Sequence, residues 1–477
     1  MSLESTLFNY ITTYLQSHSN THIIIAYSGG IDSQVLLHAL SNFKNNILNN
    51  PQNTNQALSC SISVCHVNHG LSSNALKWEN FAQQQCNLHQ LPLDICRVNV
   101  KAKAQHSLEE LARDARYDAL KSLIKNKEFK HVLVLTGHHN DDQAETFLLA
   151  LKRGSGLKGL SAMKQEMVFG TSLLGRPLLG ISRSEIEAYA QEHQLTWIDD
   201  ESNEDVRFDR NFLRHQVMPI ITERWPSFLK TMNRSAEHCQ EAELLLTELA
   251  EQDLENIKIG VNTLSLVKLQ QLSQARFNNV IRYFLSIHQC LMPSTAQLIQ
   301  LQTQLLANND KSPAVKVGNY WLRRFKQCVY LTADFKDVSD FYSCVKPELT
   351  STIDEVVKLP DGLGDLLFKY EVKNKNTEKQ SDPISKKNQT CQIIAPRSRQ
   401  QVTIRFSHNN PTCIPDYRQH SRSLKKILQE LDIPTWQRKR LPFVYYDDQL
   451  VAVIGHFVCK EFVPKEKDDT LQIIWNA

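Results

Sequence analysis

The stretch HIIIAYSGGIDSQVLLHAL, residues 22–40, decides the fold of this 477-residue chain. Its first part, His22–Tyr27, is a β-branched run of strand length, and Gln34–Leu40 has the apolar spacing of a helix. Between them lie Gly29 and Gly30, two adjacent glycines that let a backbone turn and approach a ligand closely. The sequence therefore predicts a strand, a ligand-binding turn and a helix.

The same alternation continues along the N-terminal third of the chain. Strand-like runs at Ser61–Val67, Leu93–Val98 and His131–Thr136 are separated by helical patterns, among them Ser107–Lys125 and Asp142–Lys152. Strands that alternate with helices predict an α/β fold, with a parallel sheet covered by helices on both faces. In such sheets ligands bind at the carboxyl ends of the strands, so the loops that follow the strands should carry the chemistry.

Three domains are expected. The patterns predict an α/β domain at residues 1–218, a mainly helical domain at 219–335, and a mixed α+β domain at 345–477. A helical pattern runs from about Trp225 to Ala307, and short strand-like runs return after Asp310. Residues 373–391 are polar and lysine-rich, without apolar periodicity, and are expected to be an insertion in the last domain.

Composition excludes several classes of protein. With 41 % hydrophobic and 22 % charged residues, the chain has enough apolar material for folded cores. No apolar run approaches the roughly 20 residues of a membrane span, and the first residues lack the pattern of a signal peptide. The eleven cysteines form no CxxC pair, which argues against a zinc ribbon or an iron–sulfur site. A soluble cytoplasmic protein, with a net charge of +3, is expected.

The turn Ser28–Ser33 has the features of an anion-binding loop. The helix that follows offers unpaired N–H groups and the positive end of its dipole, and the serine hydroxyls add donors. Asp32 is out of place in a loop that only holds an anion, but it suits a loop that also carries Mg²⁺. The pattern GxxxxGK[ST] is absent, so this is not the loop of γ-phosphoryl transfer. The alternative is an ordinary strand-to-helix turn.

Two further loops contain candidate site residues. After the second strand, His66 and His69 could bind a metal, but the absence of accompanying acids or cysteines favours a loop that shapes the pocket. After the fourth strand comes GHHNDDQAET, residues 137–146. Capping of a helix N-terminus explains one acid there, but not the whole group. That segment contributes His138, Asp141, Asp142 and Glu145.

The helix at Ser107–Lys125 carries two arginines of interest. An apolar stripe on it is formed by Leu108, Ala112, Ala115, Ala119 and Leu123. At 100° per residue, Arg116 lies at the edge of this stripe and Arg113 points further round. Arg116 is therefore expected to contact a phosphate, with a structural salt bridge as the alternative.

Six motifs carry a resemblance to a known family. SGGIDS resembles the PP-loop of N-type ATP pyrophosphatases, which adenylate a substrate oxygen and release pyrophosphate. Together with HVNHGL, ARDARY, GHHNDDQAET, LKRGSGLKGL and DESNEDVRFDRNFLR, in this order, it resembles the bacterial tRNA(Ile)-lysidine synthetase family over most of residues 22–214. The stretch SLKKILQELDIPTWQRKRLPFVYYDDQLVAVIG, residues 423–455, resembles the last domain of that family.

The resemblance implies a two-step reaction. The 2-carbonyl oxygen of the wobble cytidine in a tRNA(Ile) with a CAU anticodon attacks the α-phosphorus of ATP and releases pyrophosphate. The ε-amine of free L-lysine then attacks carbon 2 and displaces AMP, which changes decoding from AUG to AUA. ATP, Mg²⁺, tRNA and lysine are the implied ligands, and a homodimer is left open.

The resemblance also assigns residues to roles. Ser28, Gly29, Gly30, Ile31, Asp32 and Ser33 would bind ATP, and Asp32 would bind Mg²⁺. Asp32, Arg116 and Asp142 would be catalytic. A nucleotide or lysine pocket is expected from His66, His69, Arg113, His138, Asp141 and Glu145.

Basic residues outside the pocket are expected to bind tRNA. Residues 396–467 have a net charge of +6, and Trp436 precedes three cations, as on many nucleic-acid surfaces. The expected contacts are Lys152, Arg153, Lys158, Arg210, Arg214, Arg438, Lys439 and Arg440. The alternative is a solvated charged face.

Three other functions compete with this one. A PP-loop tRNA thiolase would need a thiolate carrier or cluster, and no CxxC is present. A small-molecule amidoligase of the NAD synthetase kind would not need a basic tail. A tRNA-binding module with an inactive nucleotide pocket is disfavoured because Asp32, Arg116, Asp141 and Asp142 are all present.

Overall fold

The computed structural model describes residues 2–18, 20–48, 60–72, 74–100, 108–125, 129–305, 313–345, 355–371, 389–397 and 400–476. It forms two compact units, residues 1–249 and 250–477. Among the helices described, none is both long enough and apolar enough to cross a lipid bilayer.

The first unit is built on a six-stranded sheet. Its strands are β1 (Thr21–Tyr27), β2 (Cys60–Asn68), β3 (Leu93–Arg97), β4 (His131–Leu135), β5 (Glu166–Phe169) and β6 (Ser172–Gly175). Their order is β3-β2-β1-β4-β6-β5, and all neighbours are parallel except the hairpin of β5 and β6. The predicted parallel sheet is confirmed.

Helices cover both faces of this sheet, as expected. The helices that begin in this unit are α1 (Leu3–Ser17), α2 (Ile31–Phe43), α3 (Ala75–Leu88), α4 (Leu108–Lys125), α5 (Asn140–Lys152), α6 (Leu157–Leu160), α7 (Arg183–Glu192), α8 (Asp209–Phe212), α9 (Met218–Arg224) and α10 (Phe228–Ile257). Short π- or 3₁₀-helical turns occur at Lys44–Leu48, Glu201–Glu204 and Leu213–Val217.

The side chains of β1 alternate between two apolar cores. Ile23 and Ile25 pack on the face covered by α1, α2, α3 and α7, whereas Ile24 packs on the face covered by α4. Because β1 is central and buried on both faces, its sequence is continuously apolar rather than alternating.

The second unit begins with a small mixed α/β region. Its helices are α11 (Leu266–Gln270), α12 (Gln274–Ile287) and α13 (Thr295–Leu305). They pack on an antiparallel sheet of order β7-β8-β11-β10-β9. The strands are β7 (Lys258–Gly260), β8 (Thr263–Ser265), β9 (Ala314–Val317), β10 (Tyr320–Phe325) and β11 (Cys328–Ala333). The predicted helices of this region therefore share it with a five-stranded sheet.

The rest of the second unit is mainly antiparallel sheet. One sheet has the order β12-β16-β19-β20-β21, a second β13-β14-β22-β15, and a third pairs β17 with β18. The strands are β12 (Tyr342–Val345), β13 (Glu355–Lys358), β14 (Asp365–Glu371), β15 (Gln389–Ile394), β16 (Val402–Arg405), β17 (Thr412–Cys413), β18 (Arg422–Ser423), β19 (Phe443–Tyr446), β20 (Gln449–Val453), β21 (Phe457–Val458) and β22 (Thr470–Asn476). Two helices, α14 (Leu424–Glu430) and α15 (Thr435–Arg438), and a 3₁₀ turn at Lys460–Phe462 complete it.

The three-domain division stays a prediction. The insertion expected at residues 373–391 lies outside the described residues, except for its last three residues, which begin β15.

Candidate active site

The site lies where the strand order of the first sheet changes direction. From β1 the chain moves to β2 and β3 on one side, and then returns to β4 on the other. The loops after β1 and β4 therefore meet at the carboxyl edge, which is where doubly wound sheets bind ligands. The two loops are close: a Cβ on Gly137 would meet the backbone of Asp32 at 3.0 Å.

The loop after β1 is shaped to receive an anion. Gly29 has a φ of +94°, a conformation that favours glycine, and Gly30 caps α2 without any side-chain hydrogen bond. The Oγ of Ser33 accepts the N–H groups of Ser28 and Gly29 at 3.3 and 3.1 Å and donates to the carbonyl of Gly30 at 2.9 Å. These bonds fix the loop, while the N-terminus of α2 is left available to a phosphate.

Asp32 lies in the first turn of α2 and has a basic partner from a distant part of the chain. The Nη1 of Arg183 is 2.8 Å from its Oδ1, and the Nε2 of His139 is 3.6 Å from the same oxygen. Arg183 is the first residue of α7, where Ser182 and Glu185 form a capping box that fixes the start of the helix.

His139 is the centre of the carboxylate group. It is 2 % exposed and caps α5, where its backbone N–H donates to Oδ2 of Asp142 at 3.1 Å. Its ring nitrogens lie 3.6 Å from Asp141 Oδ2 and 3.5 Å from Asp142 Oδ2. Asp141 also accepts the backbone N–H of Arg183 at 3.0 Å, which ties α5 to α7.

Glu145, one turn further along α5, is buried between two arginines. Its Oε1 is 2.7 Å from Nε of Arg214, and its Oε2 is 2.9 Å from Nε of Arg210. Arg214 also reaches Asp142 Oδ1, at 3.2 Å. Arg210 and Arg214, expected to contact tRNA, thus lie among the acids of the site, and their contact with tRNA stays a prediction.

The electrostatics of the group follow from burial and from these partners. Burial raises the pKa of Asp32, against the opposing effect of His139 and Arg183. Burial alone would lower the pKa of His139, but the hydrogen bond to Asp141 and the charges of Asp142 and Asp32 raise it overall. The same network holds the pKa of Asp142 below its usual range, since the cations outweigh its burial. The carboxylates of Asp32, Asp141 and Asp142 therefore favour the charged form of His139.

His138, the neighbour of His139, has the opposite electrostatics. Its Nδ1 lies 2.8 Å from the hydroxyl oxygen of Thr136, and burial lowers its pKa, against the charge of Asp142. The pKa values of the two adjacent histidines therefore shift in opposite directions, because three carboxylates lie within 3.6 Å of the ring of His139.

His66 lies on β2 and His69 directly follows this strand. His66 is buried with Nδ1 3.1 Å from the carbonyl of Tyr27, and burial lowers its pKa. Burial and the charge of Arg116 lower the pKa of His69 to about 4, and its Nε2 is 3.4 Å from Nη2 of Arg116. Both rings are therefore neutral at neutral pH, and their place in a nucleotide pocket stays a prediction.

The expected burial of α4 is only partly right. Leu120 and Ile124 are buried, with Tyr117 and Leu123 packed beside them, so Leu123 of the predicted stripe faces the core while its three alanines are only half-buried. The larger side chains decide which face meets the sheet, and this places Arg113 nearer the buried face than Arg116. Both arginines are exposed: Arg113 lies 5.5 Å from the ring of Tyr117, and Arg116 reaches His69.

The glycine-rich segment after α5 exposes its cations. Lys152, Arg153 and Lys158 are all exposed, and Lys152 is 2.7 Å from Asp209. Gly154 has a φ of +65°, which makes the turn between α5 and α6.

The three cations after Trp436 differ in their surroundings. Arg440 is paired with Asp361 at 2.7 Å, lies 4.3 Å from the ring of Phe335, and its side chain is 11 % exposed. Arg438 donates from Nε to the carbonyl of Ile433 at 2.7 Å. Lys439 is exposed. Arg438 and Arg440 therefore have partners within the second unit, Lys439 is exposed, and the contact of all three with tRNA stays a prediction.

Sequence reasoning misses two residues of the site, Arg183 and His139. His139 stands beside His138 in a segment that the sequence does single out, but nothing local distinguishes the two. Arg183 is 151 residues from Asp32, and the signal that could have placed it is the capping box SRSE at residues 182–185, at the start of a helix.

Three family models match separate parts of this chain. A PP-loop domain model matches residues 3–221, a TilS substrate binding domain model residues 264–330, and a TilS substrate C-terminal domain model residues 402–475. The tRNA(Ile)-lysidine synthase of Serratia proteamaculans is 40 % identical over 464 residues, 96 % of this chain and 97 % of the relative. Those of Coxiella burnetii (36 %, over 97 % of this chain and 94 % of the relative) and Vibrio atlanticus (39 %, over 93 % of each) are also similar. Because these relatives match almost the whole chain at this level of identity, the chain belongs to the tRNA(Ile)-lysidine synthase family.

Proposed function

We propose that this chain is an ATP-dependent ligase that joins free L-lysine to carbon 2 of the wobble cytidine in a tRNA(Ile) with a CAU anticodon. The observation that carries the proposal is the group of Asp32, His139, Asp142 and Arg183 beside an uncapped helix N-terminus at the switch point of the sheet. It acts in the cytoplasm.

The first step would form a bond between the cytidine 2-oxygen and the α-phosphorus of ATP, and break the bond to pyrophosphate. The loop Ser28–Ser33 and the N-terminus of α2 bind the phosphates, since their N–H groups and dipole favour negative charge. Arg116 stabilises charge that develops on the phosphates. Little covalent chemistry is asked of the side chains, so positioning and charge stabilisation dominate.

Asp32 suits a hard cation such as Mg²⁺. Its Oδ1 is held by Arg183, and its Oδ2 has no hydrogen-bond partner in the described part of the chain. A bound Mg²⁺ would neutralise phosphate charge at this position.

The second step would form the bond between the lysine ε-nitrogen and carbon 2, and break the bond from carbon 2 to the oxygen that leaves with AMP. The lysine amine enters as an ammonium ion, which the carboxylate of Asp142 can bind, and its protons pass to water as the new bond forms. Glu145 holds Arg210 and Arg214 beside Asp142, since each of its oxygens pairs with one of these arginines.

Exposed cations would hold the tRNA away from the reacting base. Lys152, Arg153 and Lys158 lie at and beyond the end of α5, the helix that carries the acids of the site, and Lys439 lies in the second unit. Phosphate contacts of this kind fix register without reading sequence.

Mass spectrometry of the wobble nucleoside tests the proposal. The full chain is incubated with ATP, Mg²⁺, lysine and a CAU-anticodon tRNA(Ile) transcript, and the tRNA is digested. A nucleoside whose mass exceeds that of cytidine by the mass of lysine minus the mass of water supports the ligase. A sulfur-containing nucleoside, formed with a sulfur donor instead of lysine, would favour the thiolase, and unmodified cytidine would contradict both.

A further inference from the structure

A second group of potential ligands lies on the face of the first sheet covered by α1, α2 and α7. Glu4 is on α1, His38 on α2, and His193 directly follows α7. One ligand atom from each lies within 4.8 Å of the other two. None of these residues takes part in the proposed reaction.

Hydrogen bonds orient two of the three side chains. The hydroxyl of Tyr189 donates to Oε1 of Glu4 at 2.8 Å and lies 2.9 Å from Nδ1 of His38. A hydroxyl that donates to a carboxylate accepts from its other neighbour, so His38 carries its proton on Nδ1 and its lone pair on Nε2. Asn42 also donates to Glu4 Oε1, at 2.7 Å. This arrangement is typical of metal-binding histidines, whose second nitrogen donates to a fixed partner.

A third histidine lies beside this group. The ring centroid of His89 is 5.6 Å from that of His38, and its Nε2 is buried without a hydrogen-bond partner in the described part of the chain. His193 lies 4.7 Å from His38 and 4.3 Å from Tyr189, measured between ring centroids. An unpartnered buried nitrogen costs free energy, which a bound ion would recover.

We propose that Glu4, His38 and His193 form a binding site for a divalent transition metal of the zinc class, with His89 or water as a further ligand. Imidazole nitrogens with one carboxylate are ligands that Zn²⁺ favours over Mg²⁺. The ion joins α1, α2 and α7. Because α2 and α7 are also joined at their N-termini by Asp32 and Arg183, the ion fixes the same two helices at a second point.

Metal titration of the full chain tests this site in the absence of ATP and tRNA. Zn²⁺ affinity is measured by competition with a chromophoric chelator, and Co²⁺ is used as a spectroscopic probe. One ion should bind tightly, and His193→Ala or Glu4→Gln should weaken its binding at least about tenfold, as the loss of a ligand requires. His193 is exposed, so its removal leaves the core intact. His238→Ala is the matched control, because His238 also lies near an exposed acid, Glu241, at 3.7 Å.

A melting experiment gives an independent readout. Zn²⁺ should raise the Tm of the wild type and of His238→Ala, and should not raise the Tm of His193→Ala, since only bound metal stabilises the folded state. Unchanged Zn²⁺ affinity in both His193→Ala and Glu4→Gln would overturn the proposal. So would a Co²⁺ spectrum dominated by thiolate charge transfer, which would assign the ion to cysteines.

Discussion

Nη1 of Arg183 lies 2.8 Å from Oδ1 of Asp32, so the first residue of α7 is joined to the first turn of α2. The backbone N–H of Arg183 also donates to Oδ2 of Asp141, at 3.0 Å. The N-terminus of α7 therefore fixes two acids, Asp32 of α2 and Asp141 of α5, which follow different strands of the sheet.

Replacement of Arg183 by alanine should lower kcat/KM by roughly ten- to a hundredfold, as the loss of an orienting partner usually does. Burial already raises the pKa of Asp32 and Arg183 opposes this, so removal of Arg183 raises the pKa further. The acidic limb of the pH–rate profile should therefore move to higher pH, and Arg183→Lys should restore part of the shift. Glu187→Gln, which removes the other, half-exposed partner of Arg183, should leave the profile unchanged.

Arg116→Ala should lower turnover by roughly 10²–10³, the usual cost of one donor that stabilises developing charge. Arg113→Ala should cost less, because its guanidinium packs near Tyr117 rather than beside His69. Steady-state kinetics with both variants decide the ranking. The reverse order would assign the phosphate contact to Arg113.

His139 predicts a pH dependence of stability. Its pKa in the folded protein lies above the ordinary value of 6.5, so its contribution is fully present below that pH and is lost as pH rises through the folded pKa. The difference in free energy of unfolding between wild type and His139→Gln should be largest near pH 6 and shrink at higher pH, by at most about 1.4 kcal/mol per pH unit. Denaturation by urea across this range measures it. A difference in free energy of unfolding that stays the same at all pH values would contradict this assignment. His420→Gln, at an exposed histidine, is the control, and the same pH trend in that variant would also contradict it.

The sequence predicts those features of the site that lie within one short segment of the chain. The strand–turn–helix around Gly29 and Gly30, and the acids that open α5, each lie within one short segment, where spacing and capping are readable. The pairing of Asp32 with Arg183 depends on how distant segments meet in the sheet, and no local pattern contains it. The buried face of α4 is displaced from the predicted one, because larger side chains such as Leu120 bury more area than the alanines of the predicted stripe.

The charged segment of the second unit contains side chains that also pack within the fold. In the segment TWQRKR, the guanidinium of Arg440 pairs with Asp361, and Trp436 packs edge-on against Tyr330, with ring centroids 5.4 Å apart. Both contacts join parts of the chain distant in sequence. The segment therefore contributes to packing, Lys439 is its exposed cation, and its contact with tRNA stays a prediction.

Exposed lysines of the second unit are the better test of tRNA binding. Lys425, Lys426 and Lys439 are all exposed, and their joint replacement by glutamine should weaken tRNA binding. The slope of log K against log salt should fall by roughly 0.7–0.9 for each phosphate that the variant no longer neutralises. ATP affinity should not change.

Arg440→Gln is the control for these lysines. It should lower the Tm, because Asp361 loses its partner, and leave the salt slope unchanged. Equal salt slopes in the wild type and the triple lysine variant would show that these lysines contact solvent and not the phosphates of the tRNA.

Pyrophosphate release in a single turnover tests the central claim most directly. Wild-type protein with ATP, Mg²⁺ and the CAU-anticodon tRNA(Ile), but without lysine, should release one equivalent of pyrophosphate and retain AMP until lysine is added. Asp32→Asn, which removes one charge and keeps the shape of the side chain, should fold with an unchanged circular dichroism spectrum and release none. Pyrophosphate release by Asp32→Asn at the wild-type rate, or release by the wild type that needs lysine but not tRNA, would contradict the account.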